Sequence, residues 1–305
     1  METRRIGSLE VSVVGLGCNN FGGRLDADAT ASVVDAALDE GINFFDTADV
    51  YGRTKSEEFL GRAPARRRGE IVLATKFGMM MDAHRHGARP EYVRQALDDS
   101  LRRLGTDYVD LYQLHRPDDE VPIADTLGAL DDAVRAGKVR EIGCSNFSVD
   151  QLREAEAGAR PGGARFVSVQ NEYSLFHREP EEGVLAECER TGVAFIPYFP
   201  LASGLLTGKY RRGQPFPQGT RLTEGRRASE LSDRRLAMVE ALIAFAEARG
   251  RTILELAFSW LLARPAVASV IAGATKPEQV KANAAAAGWR LTAEEMAEVD
   301  RVLGG

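Results

Sequence analysis

Val109-Asp-Leu-Tyr-Gln-Leu-His115 is a short run rich in apolar residues, and Val139-Arg-Glu-Ile-Gly-Cys-Ser145 is another. Between them, residues 127–136 carry a helical apolar pattern that stops at Gly137. A strand, a helix and a second strand in this order make a crossover unit, which lays the two strands parallel. The pattern recurs along nearly the whole chain. Residues 13–16, 42–46, 71–76, 167–172, 193–197 and 268–272 are further strand runs, which brings the total to eight. Most are rich in Val, Ile and Phe, as befits strands buried on both faces. Residues 29–40 place Val33, Val34, Ala37 and Leu38 on one helical face before Gly41; residues 93–104 end at Gly105 and residues 238–249 at Gly250. Glycine after a last turn supplies the left-handed backbone that ends many helices. Ser148 with Gln151, Thr252 with Glu255 and Thr292 with Glu295 have the spacing of reciprocal capping boxes.

Eight strand–helix units joined by right-handed crossovers predict an α/β fold, a (β/α)8 TIM barrel. Such a barrel takes about 250 residues, and this chain has 305. The surplus is expected in an N-terminal hairpin (residues 5–11), a loop (79–89), an insertion (202–229) and a C-terminal helix. No change of composition and no Pro/Ser linker divides the sequence, so residues 1–305 read as one barrel domain. The competing doubly wound fold would carry GxGxxG after its first strand, and Gly15-Leu-Gly17-Cys-Asn-Asn20 fails at the third glycine.

Apolar residues make up 44% of the chain, charged residues 28%, and the net charge is −6, which gives no general attraction to nucleic acid. Arg66-Arg67-Arg68 reads as a solvated helix end or loop. No stretch reaches the roughly 18 apolar residues of a membrane span, and the first residues show no signal-peptide pattern. Cys18, Cys144 and Cys188 form no CxxC pair, so three free thiols in a reducing cytoplasm are expected, Cys144 in the core. No metal site is expected: His84 and His86 are the one close His pair, read as a loop coincidence. GxSxG is absent, which disfavours a serine hydrolase.

The strands finish in polar residues, and in a barrel their C-terminal ends share one mouth. Asp46 ends the second strand, Lys76 the third and His115 the fourth. Ser145 and Asn146 follow the fifth, Gln170 and Asn171 close the sixth, and Tyr198 follows the seventh, with Tyr51 on the loop beyond Asp46. Taken singly, Asp46-Thr47 reads equally as a helix cap, Lys76 as a snorkelling strand-end lysine, His115 as a structural histidine and Tyr51-Gly52 as a turn. Together they suit proton donation to a carbonyl oxygen. Tyrosine keeps its proton at neutral pH, a nearby Lys76 would strengthen it as an acid, Asp46 would fix the lysine, and His115 would orient the carbonyl. Phe21, Tyr51, Met79, Met80, Met81 and Phe176 suggest an apolar pocket, although the methionine run reads equally as loop packing.

Five segments then carry a resemblance over nearly the whole chain. They are Gly41-Ile-Asn-Phe-Phe-Asp-Thr-Ala-Asp-Val-Tyr-Gly52, Leu73-Ala-Thr-Lys76, Asp110-Leu-Tyr-Gln-Leu-His115, Gly143-Cys-Ser-Asn-Phe147 and the segment from Pro197 to Tyr210. The sequence resembles the aldo-keto reductases, in particular the bacterial and potassium-channel β-subunit branch. The resemblance implies a nicotinamide-dependent oxidoreductase, with NADPH reducing aldehydes or ketones. Tyr51 would be the general acid, with Asp46, Lys76 and His115 completing the catalytic set. It also implies that Ser145, Asn146 and Gln170 hold the carboxamide and that Tyr198 stacks on the nicotinamide. Leu201, Ser203 and Lys209 would follow the pyrophosphate, and Gly273, Thr275, Lys276, Gln279 and Asn283 would hold the adenosine end. Two residues depart from the pattern: Phe199 stands where a small serine is common, and Ala282 where the branch often has a glutamate for adenine.

Lys276 ahead of Pro277 is a plausible phosphate site in its own right, since a cation and free N–H groups meet at a helix start. Glu278 stands against it and is expected to point to solvent as a first-turn acid. The expected partner is a small carbonyl substrate, with neither nucleic acid nor membrane, in a monomer or homo-oligomer. Two readings stay open beside the reductase: a nicotinamide-binding regulatory subunit of a larger complex, and Schiff-base chemistry at Lys76.

Overall fold

The structure is a computed structural model that describes residues 1–63, 67–224 and 230–304. A two-stranded hairpin, β1 (Thr3–Ile6) and β2 (Leu9–Ser12), precedes an eight-stranded parallel sheet. The sheet strands are β3 (Val14–Gly17), β4 (Phe44–Asp46), β5 (Val72–Phe77), β6 (Val109–Leu114), β7 (Val139–Ser145), β8 (Phe166–Glu172), β9 (Ala194–Tyr198) and β10 (Val270–Gly273). Each pairs with the next in sequence, and β10 returns to β3 from Val270↔Val14 to Gly273↔Gly17. The seam between β9 and β10 is narrow. Phe195 N donates to Ala266 O at 2.7 Å, and Ala268 N to Phe195 O at 3.0 Å. The result is a nearly closed (β/α)8 barrel with an N-terminal hairpin and a C-terminal helix, as the sequence predicts.

The helices are α1 (Ala27–Asp39), α2 (Lys55–Arg62), α3 (Pro90–Leu104), α4 (Ile123–Arg135), α5 (Val149–Gly158), α6 (Val184–Thr191), α7 (Arg221–Glu224), α8 (Asp233–Glu247), α9 (Ile253–Leu262), α10 (Pro277–Ala285) and α11 (Ala293–Leu303). All three predicted capping boxes form, on α5, α9 and α11. Several boundaries differ from the sequence reading. Helix α1 starts two residues earlier because the Asp26 side chain accepts from Ala29 N at 2.9 Å. Helix α3 starts at Pro90, a residue whose fixed φ and missing N–H suit a first turn. Strand β4 begins only at Phe44, because the Asn43 side chain instead bonds hairpin backbone, accepting from Ser12 N and donating to Glu10 O. Arg66 and the end of the expected insertion, residues 225–229, lie outside the described residues. Arg68 is not a solvated end: it bonds Asp110, a buried carboxylate that also takes Leu73 N and Arg140.

Two apolar layers hold the barrel. The outer layer packs the sheet against the helices. The inner layer fills the lumen with Phe44, Val72, Ala74, Leu111, Ala194, Ile196, Ala268 and Ile271, and hairpin residues Ile6, Leu9 and Val11 pack onto it. Fully burying a side chain of this kind contributes about 1.5–3 kcal/mol. Gly15 is required by the tightness of this layer, since a Cβ there would sit 2.8 Å from Ile271 and 2.9 Å from Phe44. Alternation along each strand puts residues two apart on the same face. Two residues towards the C-terminal end the inner face turns polar: Phe44 gives way to Asp46, Ala74 to Lys76, Leu111 to Gln113 and Ile196 to Tyr198. This switch builds the site.

Candidate active site

Lys76 is fully buried and donates from Nζ to Asp46 Oδ2 at 2.6 Å and to Thr47 O at 2.8 Å. The Asp46–Thr47 pair is therefore no helix cap, and Lys76 is no surface lysine. The second carboxylate oxygen, Asp46 Oδ1, accepts from Gln113 Nε2 at 3.1 Å and Gln170 Nε2 at 2.9 Å. Both oxygens of a carboxylate in an apolar barrel are thus satisfied, as burial of a charge demands. Gln113 escaped the sequence reading. The signal was present, since Gln113 lies two residues before His115 and shares its inward face.

Tyr51 projects over this pair. The Lys76 ammonium lies 5.1 Å from its ring centroid, and the His115 ring meets it edge-on at 5.8 Å between centroids. Burial pushes the Tyr51 hydroxyl above its usual range; Lys76 pulls it down and Asp46 pushes it up, with a net upward shift. Lys76 thus acts in the expected direction, favouring the ionised phenol, but burial outweighs the ammonium. Burial also acts to lower Lys76, but Asp46 and Tyr51 outweigh it and hold the ammonium charged. His115 is pushed down to about 3 by burial, then by Lys76 and Arg116, so its ring is neutral. Its Nδ1 is buried with no hydrogen-bond partner.

These residues floor a cleft of about 900 Å³. Asp46, Tyr51 and His115 line it, as does every expected cofactor residue from Ser145 to Asn283; Lys76 sits behind Asp46. At one side a chain of hydrogen bonds links the strand ends. Ser145 Oγ donates to Gln170 O at 2.6 Å, Asn146 Nδ2 to His115 O at 2.9 Å, and Tyr198 OH to Asn146 Oδ1 at 2.7 Å. Asn146 reaches both with a left-handed backbone, φ 63°. The apolar pocket is narrower than expected: of the six residues suggested, only Tyr51 and Met79 line the cleft. Phe21 is fully buried and Met80 is 72% exposed.

The segment after β9 turns through four positive φ angles, at Phe199, Ala202, Ser203 and Gly204. Three of them belong to residues that pay for this conformation, of order 1–3 kcal/mol each. The turn leaves Ser203 Oγ buried without a partner and brings Lys209 Nζ beside Gly204, where a Cβ would sit 3.1 Å away. Lys209 is pulled below its ordinary pKa by burial, then by Arg24 and Arg221. Arg221 crosses the cleft to Asn19 Oδ1 at 2.9 Å and Asn20 Oδ1 at 3.1 Å. Arg24, on a loop, and Arg221, at the start of the four-residue α7, were missed because such short segments carry no periodicity to reveal their direction. Crowded cations and an orphaned hydroxyl at a strained turn suit an anionic group such as a pyrophosphate.

At the far edge, Lys276 is the N-cap of α10 with no side-chain cap bond, followed by Pro277. Thr275 donates to Gln279 Oε1 from both N, at 2.7 Å, and Oγ1, at 3.1 Å. Glu278 is exposed and Asn283 is buried against the cleft wall. Beneath the site lies Asp49, 1% exposed, with neither oxygen hydrogen-bonded. Burial and then the Glu57 charge push its pKa up to about 7.

The sequence model of the aldo/keto reductase family matches residues 13–303. The chain belongs to the aldo/keto reductase family. This aldo/keto reductase is 35% identical to the aldo-keto reductase YhdN of Bacillus subtilis (strain 168), over 97% of this chain and 91% of that one. It is 38% identical to the aldo-keto reductase yakc [NADP(+)] of Schizosaccharomyces pombe, over 86% of this chain and 79% of that one. Its fold matches the structure of the glycerol dehydrogenase AKR11B4 from Gluconobacter oxydans with a TM-score of 0.86 at 33% identity, covering 99% and 95% of the two chains. An oxidoreductase of carbonyl compounds is the activity this family supports. No helix among the described residues is long and apolar enough to cross a membrane.

Proposed function

We propose that this aldo/keto reductase uses NADPH to reduce small aldehydes and ketones, with Tyr51 as the general acid. The observation that carries the reading is the buried Asp46–Lys76 pair set beneath the Tyr51 ring, with His115 edge-on to it, at the floor of a cleft whose other end gathers cations. A nicotinamide cofactor, when bound, supplies the two electrons as hydride to the carbonyl carbon. The chain's own residues handle position and proton. Tyr51 stays protonated at neutral pH and gives its proton to the carbonyl oxygen as charge develops there. The Lys76 ammonium stabilises the phenolate left behind, and Asp46 keeps the ammonium in place. Neutral His115, its Nδ1 buried, meets the carbonyl oxygen with Nε2–H and adds a second donor.

Ser145, Asn146 and Gln170 would hold the carboxamide. Gln170 spends its NH2 on Asp46, which leaves Oε1 as an acceptor. Tyr198 would stack on the ring, and Leu201, Ser203 and Lys209 would follow the pyrophosphate, joined by Arg24 and Arg221. Gly273, Thr275, Gln279 and Asn283 would hold the adenosine. Lys276 and the start of α10 would take the 2′-phosphate that distinguishes NADPH from NADH. The experiment is an NADPH-consumption screen over aldehydes, ketones and quinones. Turnover of one of these classes is expected, and a protein that binds NADPH but consumes none of it with any of them overturns the reading.

A further inference from the structure

Arg116 directly follows His115 at the end of β6 and lines the cleft together with Met79. It forms no hydrogen bond or ion pair among the described residues. Two of the three acids that follow it are used elsewhere: Asp118 accepts from Ala88 N at 2.8 Å and Glu120 N at 3.0 Å, and Glu120 meets Arg89 at 3.2 Å, while Asp119 is exposed and makes no ion pair with Arg116. Arg116 also stands apart from the cations of the phosphate end. Lys209 feels Arg24 and Arg221, whereas His115 feels Lys76 and Arg116. One uncommitted guanidinium therefore faces the substrate end of the cleft, next to the histidine that meets the carbonyl.

We propose that Arg116 selects carbonyl substrates that carry a carboxylate, an inference that rests on the carbonyl-reductase reading. A guanidinium presents paired N–H donors whose spacing matches the two oxygens of a carboxylate. With the carbonyl held at Tyr51 and His115, the carboxylate falls a few atoms along the substrate, towards the rim. A phosphate fits less well. Its second negative charge calls for a second cation, while Glu172 on the same lining opposes it. Glu172 has an interaction of its own, and Arg116 is exposed, so the contact is partly screened by water.

The test compares 4-oxobutanoate with butanal, aldehydes of equal chain length, with NADPH at fixed ionic strength. The wild type favours 4-oxobutanoate in kcat/KM. Arg116→Gln lowers that preference about tenfold, mainly through KM, and Arg116→Lys restores part of it. A preference that is absent in the wild type, or unchanged in Arg116→Gln, overturns the proposal. Calorimetric binding of butanoate to the protein–NADP+ complex separates this proposal from the reading beneath it. Butanoate binding weakened about tenfold in Arg116→Gln supports the carboxylate site even if neither aldehyde is consumed, in which case the reductase reading is what fails. Equal butanoate binding by both proteins overturns the site.

Discussion

Lys76→Met removes one charge from a fully buried pair while keeping a side chain of similar length. What remains is the Asp46 carboxylate, 2% exposed, with Oδ2 stripped of its 2.6 Å donor, and the Thr47 carbonyl stripped of its 2.8 Å donor. Breaking a buried pair from one side costs about 3–5 kcal/mol. Asp46 Oδ1 keeps two amide donors, from Gln113 and Gln170, which puts the expected loss near the lower end, about 3 kcal/mol. For a chain of this size a loss of about 1 kcal/mol lowers Tm by roughly 2 °C, so a fall of about 6 °C is expected by scanning calorimetry. Carbonyl-dependent NADPH oxidation should disappear in the same variant. The double variant Asp46→Asn/Lys76→Met should regain part of the lost stability, because a neutral amide leaves no charge stranded in the barrel. An unchanged Tm with full activity would refute the reasoning and return Lys76 to a strand-end role.

Lys276→Ala should weaken NADPH about tenfold or more and leave NADH nearly unaffected, measured as two dissociation constants at fixed salt; equal loss for both would place Lys276 on a group other than the 2′-phosphate. Asp49 titrates near 7 in the folded protein and at its ordinary lower value when unfolded, so wild-type stability falls as pH rises between about 4 and 7. Asp49→Asn should remove that dependence, gaining on the wild type by roughly 1.4 kcal/mol per pH unit in denaturant unfolding across this range; parallel pH curves for the two proteins would contradict it. His115, held near 3, stays neutral across the physiological range, so kcat/KM should show no histidine ionisation between about pH 5 and 8. A limb near 6.5 that vanishes in His115→Gln would show that the ring is charged in the working enzyme.

Much of the barrel was legible because its signals are local. Apolar runs of strand length, glycine stops and three reciprocal caps each report on a few neighbouring residues, and the inward face of every strand follows from alternation. The Asp46–Lys76 pair was legible for the same reason, since both residues end runs that have no other place for a charge. Gln113 was missed because it sits within a strand rather than at its end, where it looks like an ordinary interruption. Arg24, Arg116 and Arg221 were missed because the direction of loops and of a one-turn helix such as α7 is set by tertiary contacts, such as the reach of Arg221 to Asn19 and Asn20 across some 200 residues of sequence. The effect of Lys76 on Tyr51 was legible because their proximity is visible in a motif, whereas the burial that outweighs it was not.

The most direct test of the account is turnover by Tyr51→Phe, which keeps the ring over Lys76 and beside His115 and removes only the hydroxyl. With an aldehyde that the wild type reduces, kcat should fall at least about a hundredfold, the range expected when general-acid catalysis is lost. The NADPH dissociation constant, measured alongside, should stay unchanged, because the phenol is not assigned to the cofactor. Near-normal turnover in Tyr51→Phe would contradict the account.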